Sequence, residues 1–347
     1  MLIYGVTGYT GRLILEEALA RGHRPVLSGR SAAAVEALAR QHGLEARPAA
    51  LDDPAAMQRA LSGAGPVIHC AGPFLHTAQP MLAACLAARV HYLDITGEIG
   101  VFEAMAAAHE RGVHAGITIL PGVGFDVVPT DCLAAHLKRR LPGATSIELA
   151  FSGGTGPSHG TAATVIEGLG LGGAVRRGGR IIRVPSAWRT RTVPFADKSR
   201  LCVTIPWGDV STAFHSTGIP DITTYMATTA SGLRSMRLMR LVEPLLRMRA
   251  LKRFLLGRLK SRPAGPSTAA LERTQSQVWG EATDASGATV RARLSAATGY
   301  KLTALAAVRA AEKVAGGAIP TGFVTPAKAF GADFVLEIPG SVREDLT

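Results

Sequence analysis

The sequence predicts an α/β protein in which a doubly wound parallel sheet is joined to a second, α+β domain. Two observations carry this prediction. Short apolar strands alternate with helical segments over the first 125 residues, and three glycines occupy the turn after the first strand. The length of 347 residues suits two domains, and a hydrophobic content of 47% can build a large core. We expect residues 1–125 plus 300–347 to form the first domain and residues 126–299 the second.

The elements of the first domain follow from apolar runs that are bounded by turn residues. Each run is expected to form a buried strand, and each amphipathic stretch between runs a covering helix. The expected strands are Leu2–Tyr4, Arg24–Ser28, Glu45–Ala50, Pro66–Cys70, Tyr92–Ile95 and Val113–Leu120. The expected helices are 13–21, 31–42, 54–61, 79–88 and 101–111.

The turn after the first strand is the strongest functional signal in the chain. Gly5, Gly8 and Gly11 let this turn tighten and let a pyrophosphate approach the backbone, while the following helix offers free N–H groups. The residues between these glycines are Val6, Thr7, Tyr9 and Thr10. The turn therefore predicts a Rossmann-type dinucleotide-binding domain. Short-chain dehydrogenases share such a turn, but no tyrosine here is followed four positions later by the lysine that they require.

Residues at the carboxyl ends of the next strands indicate which dinucleotide is bound. No acid lies between Val26 and Val35, where an NAD site usually carries one for the ribose 2′-OH. Ser28, Arg30 and Ser31 instead suit a 2′-phosphate, which favours NADP(H). Small residues after the fourth strand and a polar fifth strand end should also lie beside the cofactor. These further cofactor candidates are Cys70, Ala71, Gly72, Pro73, Phe74, Thr96 and Gly97.

After Asp126 the regular alternation ends, which predicts a domain of different architecture. A helix is expected over 129–140 and a strand over 146–152, followed by a Gly/Ser/Thr-rich loop over 153–160 and a helix from Thr161. Further expected segments are strands over 180–184, 201–205 and 223–229, a linker over 263–267, a hairpin of 275–281 with 289–297, and a helix over 301–315.

Four stretches of the chain together carry a resemblance to a known family. They are Gly5–Arg12, Gly72–Phe74, His91–Glu98 and Gly122–Asp131, and further similar stretches lie at 205–212, 216–220 and 278–282. The chain resembles saccharopine dehydrogenase-like oxidoreductases over nearly its whole length, most closely the branch of trans-acting enoyl reductases. This resemblance implies a Rossmann domain, a second domain that holds the substrate, and a C-terminal segment that returns to the first domain.

The positive charge of the chain is concentrated in one segment. Residues 234–262 contain ten basic side chains and a single acid, Glu243, in a chain with a net charge of +12. Such a local concentration argues against a surface for nucleic acid. The apolar residues that approximate one helical face of this segment are Leu238, Leu241, Leu245, Met248, Leu255 and Leu259. Such a helix either packs on its own domain, lies on an anionic membrane or accepts an acyl carrier protein.

Few residues are candidates for the catalytic proton donor that hydride transfer requires. Asp126 follows the glycines at the end of the sixth expected strand, His159 lies near a helix start, and Tyr300 begins the returning helix. Asp126 also suits a turn or a cap, and His159 a solvated loop, so the sequence leaves their roles open.

These patterns predict a cytoplasmic NADP(H)-dependent oxidoreductase that reduces a C=C or C=N bond of a hydrophobic or carrier-bound substrate. An amino-acid-linked imine reductase or dehydrogenase is one alternative, and a non-catalytic, membrane-associated NADP-binding protein is another. Arginines that converge in the cleft would favour the imine, whereas an apolar tunnel would favour the enoyl substrate. Saccharopine itself is disfavoured, because its three carboxylates would need arginines that the chain concentrates elsewhere.

Cysteine usage and hydropathy set further expectations. The four cysteines are widely spaced, which predicts reduced thiols and no metal site. The early first strand predicts no signal peptide, and the lack of a long uncharged apolar run predicts no membrane span. The expected partner is a small-molecule or acyl-carrier-bound substrate, and no nucleic acid. Peripheral membrane contact through 234–262 and a homodimer are left open.

Overall fold

A computed structural model of the protein describes residues 1–153, 156–259, 264–317 and 319–346. Within these ranges the strands are β1 (Leu2–Tyr4), β2 (Val26–Ser28), β3 (Val67–His69), β4 (Tyr92–Asp94), β5 (Thr118–Leu120), β6 (Ala144–Ser152), β7 (Gly173–Arg177), β8 (Arg180–Val184), β9 (Thr190–Pro194), β10 (Ser199–Thr204), β11 (Asp221–Ala227), β12 (Gln275–Asp284), β13 (Thr289–Ala297), β14 (Gly322–Phe323) and β15 (Val342–Leu346).

The α-helices of the same ranges are α1 (Tyr9–Ala20), α2 (Ala32–His42), α3 (Pro54–Leu61), α4 (Phe74–Ala88), α5 (Ile99–Ala107), α6 (His109–Ala115), α7 (Val128–Arg140), α8 (His159–Gly168), α9 (Asp209–Thr217), α10 (Ala230–Met239), α11 (Glu243–Leu246), α12 (Arg249–Leu259), α13 (Thr268–Arg273), α14 (Gly299–Ala315) and α15 (Pro326–Phe330). Short 3₁₀ turns cover Arg240–Val242 and Phe334–Glu337. Three of the predicted segments lie partly outside the described residues: the loop at 154–155, the basic segment at 260–262 together with the side chain of Leu259, and the linker at 263.

The first sheet is parallel and has the strand order β14-β5-β4-β3-β1-β2. Its centre is fully buried at Ile3, Ile68 and Leu93, because helices cover both faces. The chain proceeds from β1 to β2 in one direction and from β3 to β5 in the other, so the order reverses between β1 and β3. Ligands of open α/β sheets bind at such a reversal, outside the carboxyl ends of the strands. The predicted fold class is confirmed.

Several predicted elements of this domain need correction. The strand expected over 45–50 is reduced to a single bridge between Ala46 and Leu27, although the N–H groups of Arg47 and Ala49 still bond the carbonyls of Leu27 and Gly29 at 2.9 and 3.1 Å. The helix expected over 101–111 is two helices that are joined at Ala108, and α6 takes the first residues of the strand expected over 113–120. Apolar periodicity alone does not reveal such breaks.

The second sheet is mixed, with the order β15-β13-β12-β6-β11-β10-β9 and with β7 pairing to β11 and β8. The hairpin of β12 and β13 is close to its predicted bounds, and the carboxylate of Asp284 orders its turn by accepting the Ser286 N–H at 2.9 Å. Side chains alternate between the two faces. Ile147, Leu149 and Phe151 of β6 face the covering helices, so Glu148 lies on the opposite face.

The C-terminal segment contributes to both sheets. Helix α14 packs against α1, where Glu312 contacts Arg21 and His23 at 3.3 and 2.8 Å, and β14 completes the edge of the first sheet. The last strand, β15, pairs with β13 of the second sheet instead. The division at residue 300 stays a prediction, since the segment after it belongs to no single sheet.

No helix within the described residues is both long enough and apolar enough to cross a lipid bilayer.

Candidate functional site

The glycine turn connects β1 to α1 at the carboxyl edge of the first sheet. Gly5 has a φ of +81°, which favours glycine, and a Cβ placed there would lie 2.9 Å from the Cβ of Ala71. A Cβ on Gly11 would lie 2.4 Å from the carbonyl oxygen of Gly5. Both glycines are therefore required for strand, turn and helix to pack so closely.

The start of α1 fits a phosphate group. Gly8 is exposed and is the residue before α1. No side chain caps this helix, so the N–H groups of its first turn have no side-chain acceptor. Free N–H groups and the positive end of the helix dipole bind a pyrophosphate well. Thr7 and Thr10 are half-buried beside this turn, and the hydroxyl of Tyr9 donates to the carbonyl of Pro266 at 2.8 Å.

The end of β2 presents one free cation. Arg30 is exposed and makes no hydrogen bond or ion pair with any described residue, and Ser31 begins α2 without a side-chain cap bond. Ser28 differs from the prediction, because its hydroxyl is buried and donates to the carbonyl of Arg47 at 2.7 Å. Arg30 and Ser31 therefore suit a 2′-phosphate.

The end of β3 brings the small residues of the predicted set to the same edge. Ala71 lies against Gly5, Gly72 is exposed, and Cys70 is half-buried with its thiol 3.7 Å from the carbonyl of Ile68. Burial raises the pKa of the Cys70 thiol, so this thiol is neutral. Pro73 then leads into α4.

Glu98 is a site residue that the sequence prediction did not include. Its carboxylate accepts the N–H groups of Phe74 and Leu75 at 3.0 and 2.8 Å, and the hydroxyl of Thr164 at 3.2 Å. Helix α4 therefore begins at Phe74, five residues before its predicted start, because a carboxylate from the next strand end caps it. Only a tertiary contact defines this role, so no local pattern could have shown it.

The end of β4 is fixed by a buried acid. Asp94 accepts hydrogen bonds from the hydroxyl of Tyr92 at 2.5 Å and from the N–H groups of Thr96 and Gly122 at 3.0 and 2.9 Å. Burial raises the pKa of Asp94 to about 6, although these hydrogen bonds oppose the rise. Thr96 is buried and its hydroxyl accepts the N–H of Glu98, so Thr96 shapes the strand end from inside.

Asp126 lies against the same strand end. A Cβ on Gly97 would come within 2.6 Å of the Asp126 carboxylate, so only glycine leaves room for the acid there. Asp126 is half-buried, and burial, assisted by the negative charge of Glu98, raises its pKa to about 7. An acid with this pKa can both donate and accept a proton near neutral pH.

Residues of both domains hold the segment around Asp126 in place. The indole of Trp207 donates to the carbonyl of Asp126 at 2.9 Å, and Thr303 of α14 accepts the N–H of Phe125 at 3.0 Å. Phe125, Phe151 and Trp207 form an aromatic cluster with ring centroids 6.0 and 4.8 Å apart. The backbone of Asp126 is therefore fixed to an aromatic cluster at the edge of the core.

The other two catalytic candidates lie where the domains meet above the glycine turn. The hydroxyl of Tyr300 accepts the N–H of Ser158 at 2.6 Å and lies 3.0 Å from the hydroxyl of Thr161, and its ring packs edge-on against Tyr9. His159 begins α8, and its N–H donates to the carbonyl of Ala264 at 3.0 Å. These contacts favour a linking role for Tyr300 and place His159 at the same joint.

A separate cavity lies on the opposite face of the second sheet. It has a volume of about 340 Å³, and Arg177, Arg189 and Arg191 line it together with Glu148 and Glu281. Arg191 is paired with both carboxylates. These converging arginines are therefore separated by the sheet from Phe151 and the aromatic cluster near Asp126. Among the described residues, no group of three or more His, Cys, Asp or Glu side chains is arranged to hold a metal ion.

Comparison with known proteins assigns the first domain. Residues 1–120 match the family model of the saccharopine dehydrogenase NADP binding domain. The predicted resemblance to saccharopine dehydrogenase-like proteins and the predicted NADP(H) cofactor are thereby confirmed for residues 1–120.

The curated relatives match only part of the chain. A trans-acting enoyl reductase of Mycobacterium tuberculosis is 30% identical over 148 residues, which are 40% of this chain and 35% of that protein. A human saccharopine dehydrogenase-like oxidoreductase is 26% identical over 196 residues, which are 49% of this chain and 46% of that protein. The matched segments thus span less than half the length of either relative.

Two solved structures share the fold over the whole chain. Saccharopine dehydrogenase (L-Glu forming) from Saccharomyces cerevisiae superimposes with a TM-score of 0.68 at 13% identity, covering 100% of this chain and 99% of that one. Homospermidine synthase from Legionella pneumophila gives 0.62 at 12% identity, covering 100% and 91%. At these identities the likeness shows a common fold.

Proposed function

We propose that the chain is an NADP(H)-dependent oxidoreductase that reduces the C=C bond of an apolar, enoyl-type substrate. The observation that carries the proposal is the position of Asp126. This acid lies at the carboxyl edge of the first sheet against Gly97, beyond the glycine turn, and an aromatic cluster lies beside it. A proton donor, a cofactor domain and an apolar wall are the parts that such a reduction needs.

When bound, NADPH supplies a hydride. The carbon next to the one that receives it becomes electron-rich and must gain a proton, which the neutral carboxyl of Asp126 donates. Asp126 leaves this step as a carboxylate and regains its proton from water. Burial and the charge of Glu98 keep the pKa of Asp126 at about 7, so the acid is available near neutral pH.

The aromatic residues near Asp126 favour an enoyl substrate over an amino-acid-linked imine. Amino-acid substrates carry carboxylates, which arginines bind best. Arg177 and Arg189 line the cavity on the far face of the second sheet, whereas Phe125, Phe151 and Trp207 accompany Asp126. The names of the mycobacterial relatives, trans-acting enoyl reductases, agree with this preference.

The proposal is tested in two steps on the purified protein. First, the stabilisation of the protein against heat is measured with NADPH, NADP, NADH and NAD. A ligand at a hundred times its Kd adds roughly 2.7 kcal/mol, and we expect this effect from the phosphorylated pair alone.

Second, NADPH oxidation is followed with a trans-2-enoyl thioester and, separately, with a 2-oxo acid plus an amine. We expect turnover of the thioester, and Asp126→Asn should retain NADPH binding while losing turnover. Turnover of the oxo acid and amine alone would establish the imine reductase instead. Tight NADPH binding without turnover of either would favour the non-catalytic alternative.

A further inference from the structure

The basic segment exposes an unusual amount of apolar surface. Seven of the fourteen large apolar side chains that are exposed among the described residues lie between positions 238 and 254. Their exposed fractions run from 39% for Met239 to 81% for Leu241. We call this surface the outer face; its apolar members are Leu238, Met239, Leu241, Val242, Leu245, Met248 and Phe254.

Apolar and polar groups both attach this segment to its domain: Met236 packs against the hydrophobic core, and three basic side chains bind backbone carbonyls. Arg240 donates to the carbonyls of Ser186 and Ala187, the latter at 2.7 Å, and Arg247 donates to the carbonyl of Gly170 at 2.7 Å. Lys252 donates to the carbonyl of Glu167. The segment therefore packs on its domain through one side, and the apolar residues of the outer face remain exposed in addition to that packed side.

The charge around the outer face is positive. Arg234, Arg237, Arg249 and Arg253 are exposed along α10 and α12. Glu243, the one acid of the segment, accepts a hydrogen bond from the hydroxyl of Ser186 at 2.8 Å. Exposed leucine, methionine and phenylalanine side chains that are flanked by arginines match the composition of helices that lie in the interface of an anionic bilayer.

We propose that the outer face docks on a membrane surface that carries anionic phospholipids. The apolar side chains would enter the boundary between headgroups and acyl chains, and the arginines would contact lipid phosphates. The outer face spans α10, a 3₁₀ turn, α11 and α12, which are short helices in series, so its apolar residues form a band and not the single stripe that fits a protein groove. A bilayer surface can bury such a band without a matching groove.

One helix, α8, connects the outer face to Glu98 and Tyr300. Helix α12 packs against α8, whose Thr164 donates to Glu98 and whose N-terminal Thr161 contacts Tyr300. Docking would therefore place the candidate site around Glu98 and Tyr300 near a source of apolar substrate. This last consequence rests on the proposed function, whereas the docking itself does not.

The test measures sedimentation of the full chain with vesicles of phosphatidylcholine alone or of phosphatidylcholine mixed with phosphatidylglycerol. We expect binding to the mixed vesicles, at least tenfold weaker binding to phosphatidylcholine alone, and weakening by salt. The double variant Leu241→Glu/Leu245→Glu should lose at least tenfold in affinity. Val342→Glu changes an equally apolar side chain that is 66% exposed on β15, and should bind like the wild type.

Each outcome of this test bears on the proposal. Unchanged vesicle binding by the double glutamate variant would overturn it. Binding to an acidic acyl carrier protein without binding to either vesicle would also overturn it and assign the face to a protein partner. Stabilisation by NADPH, measured on each variant, shows that the variant is folded and keeps this result separate from failure of the proposed reductase activity.

Discussion

Replacing Asp126 with asparagine is expected to make the free energy of unfolding less dependent on pH. Burial, with Glu98 nearby, raises the pKa of Asp126 from 3.8 to about 7. The folded protein therefore holds a proton that the unfolded chain releases, and the wild type loses stability as the pH rises from about 4 to about 7. Asparagine has nearly the same shape and does not titrate, so the variant escapes this loss.

The magnitude follows from the change in pKa. A rise of about three units corresponds to at most about 4 kcal/mol. Because Asp126 is half-buried and not fully buried, we discount this figure for screening and expect the variant to gain about 1 to 3 kcal/mol above neutral pH. Burial also raises the pKa values of Asp94 and Asp131 to about 6, but these acids occur in both proteins and their effects cancel in the difference.

Urea unfolding of both proteins at about pH 5 and about pH 8 measures this difference. We expect the gain of the variant to be larger at the higher pH by about 1 to 2 kcal/mol. Asp53→Asn is the matched control: it removes one exposed carboxylate, and the amide oxygen of asparagine can still accept the N–H of Ala56 at the start of α3. An equal effect of Asp126→Asn at the two pH values would refute the reasoning, because it would mean that Asp126 is ionised throughout.

Three further predictions concern neighbouring residues. Arg30→Ala should weaken NADPH binding at least tenfold and leave NADH binding unchanged, whereas Arg40→Ala on the exposed side of α2 should alter neither; calorimetric titration measures both. Glu98→Gln should destabilise the protein by about 1 kcal/mol through its weaker cap on α4. The pKa of Asp126 should also fall in that variant, because the negative charge of Glu98 is gone, so the loss of stability should begin to level off at a lower pH. If urea unfolding shows the same pH dependence as in the wild type, Glu98 does not raise the pKa of Asp126. Tyr300→Phe should cost about 1 kcal/mol because the N–H of Ser158 loses its acceptor, yet turnover should show the same pH profile; a changed profile would return Tyr300 to the mechanism.

The fold of the cofactor domain was predictable because its signals are local. Gly5, Gly8 and Gly11 lie within seven positions of each other, and apolar runs at regular intervals specify a parallel sheet. The strand expected over 45–50 is only a single bridge at Ala46, and its apolar pattern does not distinguish that bridge from a full strand. Strand β14, only two residues long, has no periodicity to detect.

The candidate site was predictable only in part because its key contacts join distant positions. Asp126 was identified from its place after a strand end, but its raised pKa depends on burial against Gly97 and on the charge of Glu98. Ser28 had the right side chain at the right strand end, yet its hydroxyl is directed to Arg47. The direction in which a side chain points depends on the packing of elements that are far apart in sequence.

The orientation of the basic segment shows the same limit. Leu238, Leu241 and Leu245 form an apolar pattern whether they face the domain or the solvent. Their exposure is decided by Arg240 and Arg247, which bind backbone carbonyls of residues that lie more than fifty positions earlier in the chain. The spacing of residues within the segment cannot predict these distant hydrogen-bond partners.

The central claim is that Asp126 donates the proton in an NADPH-dependent reduction. The most direct measurement is the rate of NADPH oxidation with a trans-2-enoyl thioester across neutral pH, for the wild type and for Asp126→Asn. We expect the wild-type rate to fall above about pH 7, and the variant to be slower by about 10² or more without that pH dependence. A variant that reduces the thioester at the wild-type rate with the same pH profile would contradict the account.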